Sequence, residues 1–219
     1  MPNIKAVIFD MDGVIVNSEP IESLALEKML AEYGKQPIFN KGGLIHVPGV
    51  TNDDYWKLLM NTYNINEDVA VLRKKKRKIF VDILKMGIIP MPGVLELIKK
   101  LKKGKIKVGV ASSRFLKHVF LILELLEIKN LFNTIIGPAE GIRKKPFPDI
   151  YLEAAKTMEV NPGLCIALED TETGVISAKA AGMKIIAIPN KHTTHQNFSK
   201  ADKIVDSLSE ITIQMLKTL

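Results

Sequence analysis

Short apolar runs alternate along most of the chain with segments of helical periodicity. Residues 5–9 form such a run and end at a polar turn, which is the pattern of a buried parallel strand. Similar runs follow at 106–111, 134–137, 164–168 and 184–188. Between them, apolar positions three and four residues apart predict helices, for example over 94–101 and 150–158. This alternation predicts an α/β fold with a doubly wound parallel sheet.

Residues 16–88 interrupt the alternation. They contain three helical patterns and no strand pattern; the helical patterns cover 21–33, 53–63 and 69–86. We therefore predict an all-helical cap domain over residues 16–88, inserted after the first strand. Residues 1–15 and 89–219 then form the core domain that carries the sheet.

The composition is that of a folded globular protein. Of the 219 residues, 47% are hydrophobic and 25% are charged, which excludes a mainly disordered chain. No apolar run has the roughly 20 residues that a membrane span needs, and the chain start shows no signal-peptide pattern. The single cysteine, Cys165, lies in an apolar run. We expect a cytoplasmic protein without a membrane partner and with Cys165 buried and reduced.

The formal net charge of +7 favours anionic partners. Lysine supplies most of this charge, whereas base recognition in nucleic acids relies on bidentate arginine. A small phosphorylated metabolite is therefore favoured over nucleic acid. The basic run at 73–78 fits a solvated helix face, but Lys76 shares a helical stripe with Leu72 and Phe80. This position leaves open that Lys76 contacts the substrate.

Two carboxylates follow the first predicted strand. Asp10 and Asp12 are two residues apart, so both leave an extended chain on the same side, and Gly13 then allows a tight turn. Two anions this close repel each other unless a cation joins them, and Mg²⁺ suits oxygen ligands. An isolated Asp-x-Asp is also common as a plain turn. The pattern thus predicts a metal site if other chemistry lies nearby.

Other predicted strands also end in polar residues. The fourth strand ends at Glu169 and Asp170, so four carboxylates converge if the first and fourth strands are neighbours. The second strand is followed by three residues with phosphate-binding groups, namely Ser112, Ser113 and Arg114. Because ligands of an open parallel sheet bind at the carboxyl ends of its strands, these residues predict one shared site.

Lys145 lies in a proline-rich segment before a predicted helix and brings an ammonium group to the same edge. Each of these residues also has an ordinary structural explanation. Asp170 or Thr171 suits a helix cap, Ser112 suits a helix start, and Lys145 suits a solvated surface. If there were no site, all of these structural explanations would have to be correct at once, each at the end of a different strand. The functional explanation is therefore favoured.

Four motifs resemble those of the haloacid dehalogenase superfamily. They are Asp10-Met11-Asp12-Gly13-Val14, Ser112, Lys145-Pro146-x-Pro-Asp149 and Glu169-Asp170-Thr171-x-Thr173-Gly174. The helical insertion resembles the cap of the β-phosphoglucomutase-like branch, and the core is then Rossmann-like. Dehalogenases of this superfamily lack the second aspartate, so Asp12 makes the chain resemble the phosphate-transferring members. The resemblance implies a Mg²⁺-dependent enzyme that acts on a small phosphomonoester.

The resemblance also implies a role for each motif residue. Asp10 is the nucleophile that forms an aspartyl-phosphate, and Asp12 is the general acid and base. The backbone carbonyl of Asp12 and the carboxylates of Asp10 and Asp170 hold Mg²⁺, while Glu169 helps to orient them.

The remaining implied roles concern the phosphoryl group. Ser112 binds a phosphoryl oxygen, and Lys145 offsets the negative charge that gathers during phosphoryl transfer. Ser113 and Arg114 are candidate substrate-binding residues, as is Lys76 in the cap.

The sequence departs from the mutases at two cap positions. Where these enzymes carry a histidine and an arginine, this chain has Glu22 and Asn52. The histidine controls proton transfer and the arginine grips a second phosphate, so a phosphatase is favoured and a phosphosugar mutase is the alternative. A non-catalytic binding protein on the same fold is a distant alternative. We expect a monomer.

Overall fold

The computed structural model describes residues 4–40, 43–44 and 52–219. Contacts within the chain define two compact units, Met1–Asn17 with Ile88–Leu219 and Ser18–Gly87. The sequence placed the bounds of the inserted unit at 16 and 88, whereas the contacts divide the chain after Asn17 and after Gly87. In the described part of the chain, no helix combines the length and apolar character that a membrane span requires.

The first unit contains a six-stranded parallel sheet in the order β5-β4-β1-β6-β7-β8. Its strands are β1 (Ala6–Phe9), β4 (Lys107–Ala111), β5 (Thr134–Ile136), β6 (Cys165–Glu169), β7 (Lys184–Ala187) and β8 (Lys203–Ile204). Five of them match the predicted runs within one residue at each end. The prediction missed β8, because two exposed residues carry no apolar pattern.

Helices follow the strands as the alternation predicts, and the fold class is confirmed. They are α4 (Val94–Lys103), α5 (Leu116–Leu125), α6 (Asp149–Thr157), α7 (Glu172–Ala180) and α8 (Ile213–Thr218). Ala6 and Ile8 of β1 belong to an apolar cluster with α6 and α7, and Val7 and Phe9, which point to the other face, are equally buried. Both faces of the central strand are therefore covered, as in other parallel sheets.

The second unit contains the helices α1 (Glu19–Glu32), α2 (Asn52–Tyr63) and α3 (Val69–Met86). Their apolar faces form a separate core around Leu30, Trp56 and Leu72. The prediction of an all-helical cap needs one correction, because β2 (Phe39–Asn40) and β3 (Gly43–Leu44) pair as a short antiparallel ladder. Two-residue strands are too short to show alternation in the sequence, so the pattern could not indicate them.

Candidate active site

The strand order brings the predicted acidic residues together. β1 pairs with β6, and Asp10 directly follows β1 while Glu169 ends β6 and Asp170 follows it. One carboxylate oxygen from each of Asp10, Glu169 and Asp170 lies within 4.8 Å of the other two. The expected convergence at the carboxyl ends of neighbouring strands is thus present for three of the four carboxylates.

The fourth carboxylate, that of Asp12, has a different partner. Arg114 donates from Nε to both carboxylate oxygens of Asp12, at 3.1 and 3.0 Å, and from Nη2 to Oδ1 at 2.8 Å. The prediction that all four carboxylates converge is therefore corrected, because this bidentate ion pair holds the Asp12 side chain. Only the backbone carbonyl of Asp12 remains as a candidate metal ligand, which is the group that the resemblance implies.

Lys145 is buried between two of the converging carboxylates. Its side chain is 6% exposed, and its Nζ contacts Oδ1 of Asp10 and donates to Oε1 of Glu169 at 2.5 Å. The ammonium group also lies 5.0 Å from the centre of the Tyr151 ring. The explanation of Lys145 as a solvated surface lysine is therefore wrong.

Glu169 is fully buried and anchors its neighbours. Its Oε1 accepts hydrogen bonds from Lys145 and, at 2.5 Å, from the hydroxyl of Tyr151, and its Oε2 accepts one from Thr171 Oγ1 at 3.3 Å. A Cβ at Gly174, in the first turn of α7, would overlap this carboxylate. These contacts make Glu169 a fixed support that holds Lys145 in place.

Turn and capping residues place the acidic groups. Gly13 has a φ of +79°, which favours glycine, and a Cβ there would also overlap the Asp170 carboxylate. Thr171 caps α7 by accepting a hydrogen bond from the backbone N–H of Gly174 at 3.2 Å. The cap explanation thus holds for Thr171, while Asp170 belongs to the acidic cluster.

The serine-containing loop follows β4, the other neighbour of β1. The backbone N–H of Ser112 donates to the carbonyl of Ile136 at 3.0 Å, and its Oγ accepts from the backbone N–H of Arg114 at 3.1 Å. Ser112 is buried and Ser113 is half-buried. The three predicted phosphate-binding residues therefore lie in one loop at the same edge of the sheet as Asp10.

Burial and mutual repulsion shift the titration of the acidic groups. Burial raises the pKa of Asp10 to about 7, with Lys145 opposing the shift and Glu169 and Asp12 adding to it. Burial also raises the pKa of Asp170 to about 9, and the charges of Asp10 and Glu169 contribute. Burial alone would lower the pKa of Lys145, but Asp10 and Glu169 raise it above its ordinary value. The raised pKa values mean that ionising Asp10 and Asp170 beside Glu169 is costly, because burial disfavours their charged forms and Lys145 opposes only part of their mutual repulsion.

These residues fit a hard divalent cation. Oδ1 of Asp170 is a buried atom for which no hydrogen-bond partner exists among the described residues. Such an atom is costly unless a cation or water meets it. Closely spaced carboxylate oxygens are the ligands that Mg²⁺ prefers. The donor set therefore suits Mg²⁺, and Asp10 and Asp170 are the carboxylates that could hold it.

Lys76 lies in the second unit, on α3. Its Nζ donates to Oε2 of Glu22 on α1 at 2.6 Å, and its side chain is 19% exposed. Lys75 pairs with Glu32 at 3.1 Å. The basic run is therefore not a uniformly solvated face, since Lys75 and Lys76 both pair with glutamates of α1.

Two residues at the site were not predicted from the sequence. Tyr151 lies on α6 and donates to Glu169, and Asn190 follows β7 and donates from Nδ2 to Oδ2 of Asp170 at 2.7 Å. A buried tyrosine needs a partner for its hydroxyl, but the helical pattern does not name that partner. Asn190 lies two residues after the apolar run 184–188, so the principle that ligands bind at the carboxyl ends of parallel strands could have identified it.

The family of the chain follows from comparison with known proteins. A model of the haloacid dehalogenase-like hydrolases matches residues 7–188, so the chain belongs to this family and is an enzyme. The chain is 32% identical to β-phosphoglucomutase of Bacillus subtilis, over 97% of this chain and 93% of the relative. It is 30% identical to hexitol phosphatase B of Escherichia coli, over 97% and 96%.

A solved structure confirms the fold. The crystal structure of CbbY from Rhodobacter sphaeroides in complex with phosphate matches with a TM-score of 0.78 and 26% identity, over 98% of this chain and 99% of that one. The resemblance to the β-phosphoglucomutase-like branch is thus confirmed. Relatives of this chain include both a phosphatase and a mutase.

Proposed function

We propose that the protein is a Mg²⁺-dependent phosphatase that hydrolyses a small phosphomonoester, such as a sugar phosphate, through an aspartyl-phosphate intermediate. The observation that carries this proposal is the buried cluster of Asp10, Glu169 and Asp170 with Lys145 between two of its members. The names of the related hexitol phosphatase and β-phosphoglucomutase support a phosphorylated sugar as the substrate class.

In the first step, Asp10 attacks phosphorus and the bond to the leaving oxygen breaks. Asp12 gives that oxygen a proton, so that a neutral alcohol leaves. Lys145 offsets the charge of the attacking carboxylate, and Ser112 binds a phosphoryl oxygen. Mg²⁺, which Asp10 and Asp170 would hold, would supply further positive charge at the site.

In the second step, water hydrolyses the aspartyl-phosphate. Asp12 takes a proton from the water as it attacks phosphorus, and the bond between phosphorus and Asp10 breaks. Inorganic phosphate and a free Asp10 carboxylate result. Arg114 holds Asp12 in the structure, so Asp12 must exchange this partner for the leaving oxygen or the water during the cycle.

The direct test is Mg²⁺-dependent phosphate release from a panel of sugar phosphates and other small phosphomonoesters. We expect release by the wild-type protein and none by the Asp10→Asn variant, which retains the shape of the site but lacks the nucleophile. An inactive wild-type protein across a broad panel contradicts the proposal and favours a binding protein on the same fold.

A phosphosugar mutase is the second candidate, favoured by the 32% identity to β-phosphoglucomutase. Glu22 and Asn52 argue against it, because they replace the histidine and the arginine that the mutases use. The two reactions separate when β-glucose 1-phosphate is supplied with Mg²⁺ and both products are followed. We expect inorganic phosphate to exceed glucose 6-phosphate, and efficient isomerisation with negligible phosphate release contradicts the phosphatase.

A further inference from the structure

Asn190 contacts the acidic cluster from the loop after β7. Its Nδ2 donates to Oδ2 of Asp170 at 2.7 Å. Oδ1 of the same carboxylate is buried and has no hydrogen-bond partner among residues 4–40, 43–44 and 52–219. The two oxygens of Asp170 are therefore in different situations, because one is held by a neutral amide and the other is left for another ligand.

The orientation of the Asn190 amide is determined by its own loop. Its Oδ1 accepts from the backbone N–H of His192 at 2.9 Å, so Nδ2 must point the other way. A flipped amide would place its NH₂ against that N–H and its oxygen against the Asp170 carboxylate. Both of these contacts repel, so the hydrogen-bond network allows one orientation.

The loop that carries Asn190 is itself braced. The backbone N–H of Asn190 donates to Oγ1 of Thr193 at 3.0 Å, and the N–H of Thr193 donates back to the carbonyl of Asn190 at 2.8 Å. Thr193 is buried. A Cβ at Gly13 would lie 2.9 Å from Nδ2 of Asn190, so the turn after β1 closes tightly over the same amide. Asn190 has little freedom to move away from Asp170.

We propose that Asn190 is a positioning residue for the metal ligand Asp170. Its amide holds Oδ2, which restricts the carboxylate to one orientation and leaves Oδ1 available to a divalent cation. A neutral donor suits this task, because a lysine at the same place would compete with the cation for the carboxylate. Partners of this kind orient metal-binding carboxylates in many proteins. The inference rests on the proposed function, since it requires the magnesium site.

The test is calorimetric titration of MgCl₂ into the substrate-free wild-type protein and into the Asn190→Ser and Asn190→Ala variants. A serine hydroxyl can still accept from the N–H of His192 and support the turn, but it is too short to reach Asp170. The matched control is His192→Ala, which removes an exposed side chain of the same turn and retains its backbone N–H.

We expect Asn190→Ser and Asn190→Ala to weaken Mg²⁺ binding by about 10- to 100-fold. The melting temperature of metal-free Asn190→Ser stays close to that of the wild-type protein, so a loss of binding in this variant is not a loss of folding. His192→Ala binds Mg²⁺ as the wild-type protein does. In activity assays, the Mg²⁺ concentration for half-maximal rate rises in Asn190→Ser, while kcat at saturating Mg²⁺ is largely recovered.

Two results contradict the proposals separately. Wild-type affinity for Mg²⁺ in Asn190→Ser overturns the positioning role while leaving the metal site intact. A wild-type protein that binds no Mg²⁺ overturns the metal-dependent function itself, and with it the role of Asn190.

Discussion

Lys145 is a buried cation whose two anionic partners come from different strands. Its ammonium group contacts Asp10 at the end of β1 and Glu169 at the end of β6. Burial removes the hydration of a charged group, so Lys145, Asp10 and Glu169 each need an ion-pair partner to remain charged in the interior. In the proposed mechanism the same ammonium group also offsets the charge of the nucleophile, so stability and the proposed chemistry depend on one side chain.

We predict that Lys145→Met lowers kcat by about 100- to 1000-fold, the loss that follows from removing one charge-stabilising group at an active site. The change also leaves two buried carboxylates without their cation, which costs about 3 kcal/mol or more in the free energy of unfolding. Initial rates and urea unfolding measure the two effects.

The neighbouring exposed lysine provides the control for this prediction. Lys144→Met removes the same charge one residue away, and we expect kcat and stability to stay within about twofold and 0.5 kcal/mol of the wild-type values. If Lys145→Met behaves like Lys144→Met, the proposed role of Lys145 is wrong.

Arg114 forms a bidentate ion pair with the proposed general acid, Asp12. Arg114→Lys retains the positive charge but cannot contact both oxygens in this planar geometry. Arg114 is also a proposed substrate-binding residue, so we predict a fall in kcat/KM of about 10-fold or more, since a hydrogen bond to a charged group contributes about 1.5–3 kcal/mol. Steady-state kinetics with the best substrate measures it. Unchanged kcat/KM in Arg114→Lys contradicts the proposed substrate-binding role of the Arg114 guanidinium.

At the scale of elements, α6 and α7 both support the end of β6. Tyr151 of α6 donates to Glu169, and Gly174 of α7 leaves room for the same carboxylate. Burial and the neighbouring charge of Glu169 raise the pKa of Tyr151 well above its ordinary value, so its hydroxyl remains a donor at neutral pH. The two helices thereby fix the residue that holds Lys145.

We predict that Gly174→Ala is strongly destabilising, because its Cβ would overlap the Glu169 carboxylate and something must shift. A loss of about 1–3 kcal/mol in the free energy of unfolding is expected, together with reduced kcat. Gly104→Ala is the matched control, since the nearest atom to a Cβ there is 3.4 Å away. Equal effects of the two substitutions in urea unfolding would refute the packing argument.

The Tyr151→Phe variant tests the other support. It retains the ring and removes one hydrogen bond to a buried carboxylate, so we expect the free energy of unfolding to fall by about 1.5–3 kcal/mol. Without this hydrogen bond Glu169 holds Lys145 less firmly. We therefore expect a clear decrease in kcat and a smaller change in KM. A variant with wild-type stability and kcat would show that the hydroxyl contributes nothing to this arrangement.

At the scale of the whole molecule, the acidic cluster links stability to pH. The raised pKa values of Asp10 and Asp170, about 7 and about 9 against an ordinary 3.8, mean that the folded protein binds these protons more tightly than the unfolded chain. Their contribution to stability is therefore present at low pH and is lost as pH rises from about 4 to about 9.

We predict that, without Mg²⁺, the free energy of unfolding contributed by these groups decreases between pH 5 and pH 8. Added MgCl₂ counteracts the decrease because the cation binds the ionised carboxylates of the folded state. Urea unfolding at both pH values, with MgCl₂ and with EDTA, measures the effect. The Asp170→Asn variant should show a smaller decrease, and an equal decrease in this variant contradicts the assignment to Asp170.

The fold class and the meeting of Asp10, Glu169 and Asp170 at one edge of the sheet were predictable from the sequence, because both depend on local patterns. Apolar runs of four to six residues and helical spacing identify strands and helices without tertiary information. The rule that ligands bind at the carboxyl ends of parallel strands then selects Asp10, Ser112 and Asp170 from among many polar residues. The short strands β2, β3 and β8 carry no such pattern and were missed.

The partner of each side chain, in contrast, depended on how distant segments pack. Lys145 and Asp10 are 135 residues apart, and Arg114 and Asp12 are 102 residues apart. Residue types and spacing show that these groups reach one edge of the sheet, but hydrogen-bond geometry and burial determine which group pairs with which. For this reason the pairing of Asp12 with Arg114 could not be predicted from the sequence. The contacts of Asn190 and Tyr151 with the acidic cluster likewise depend on how β6, β7 and α6 pack together.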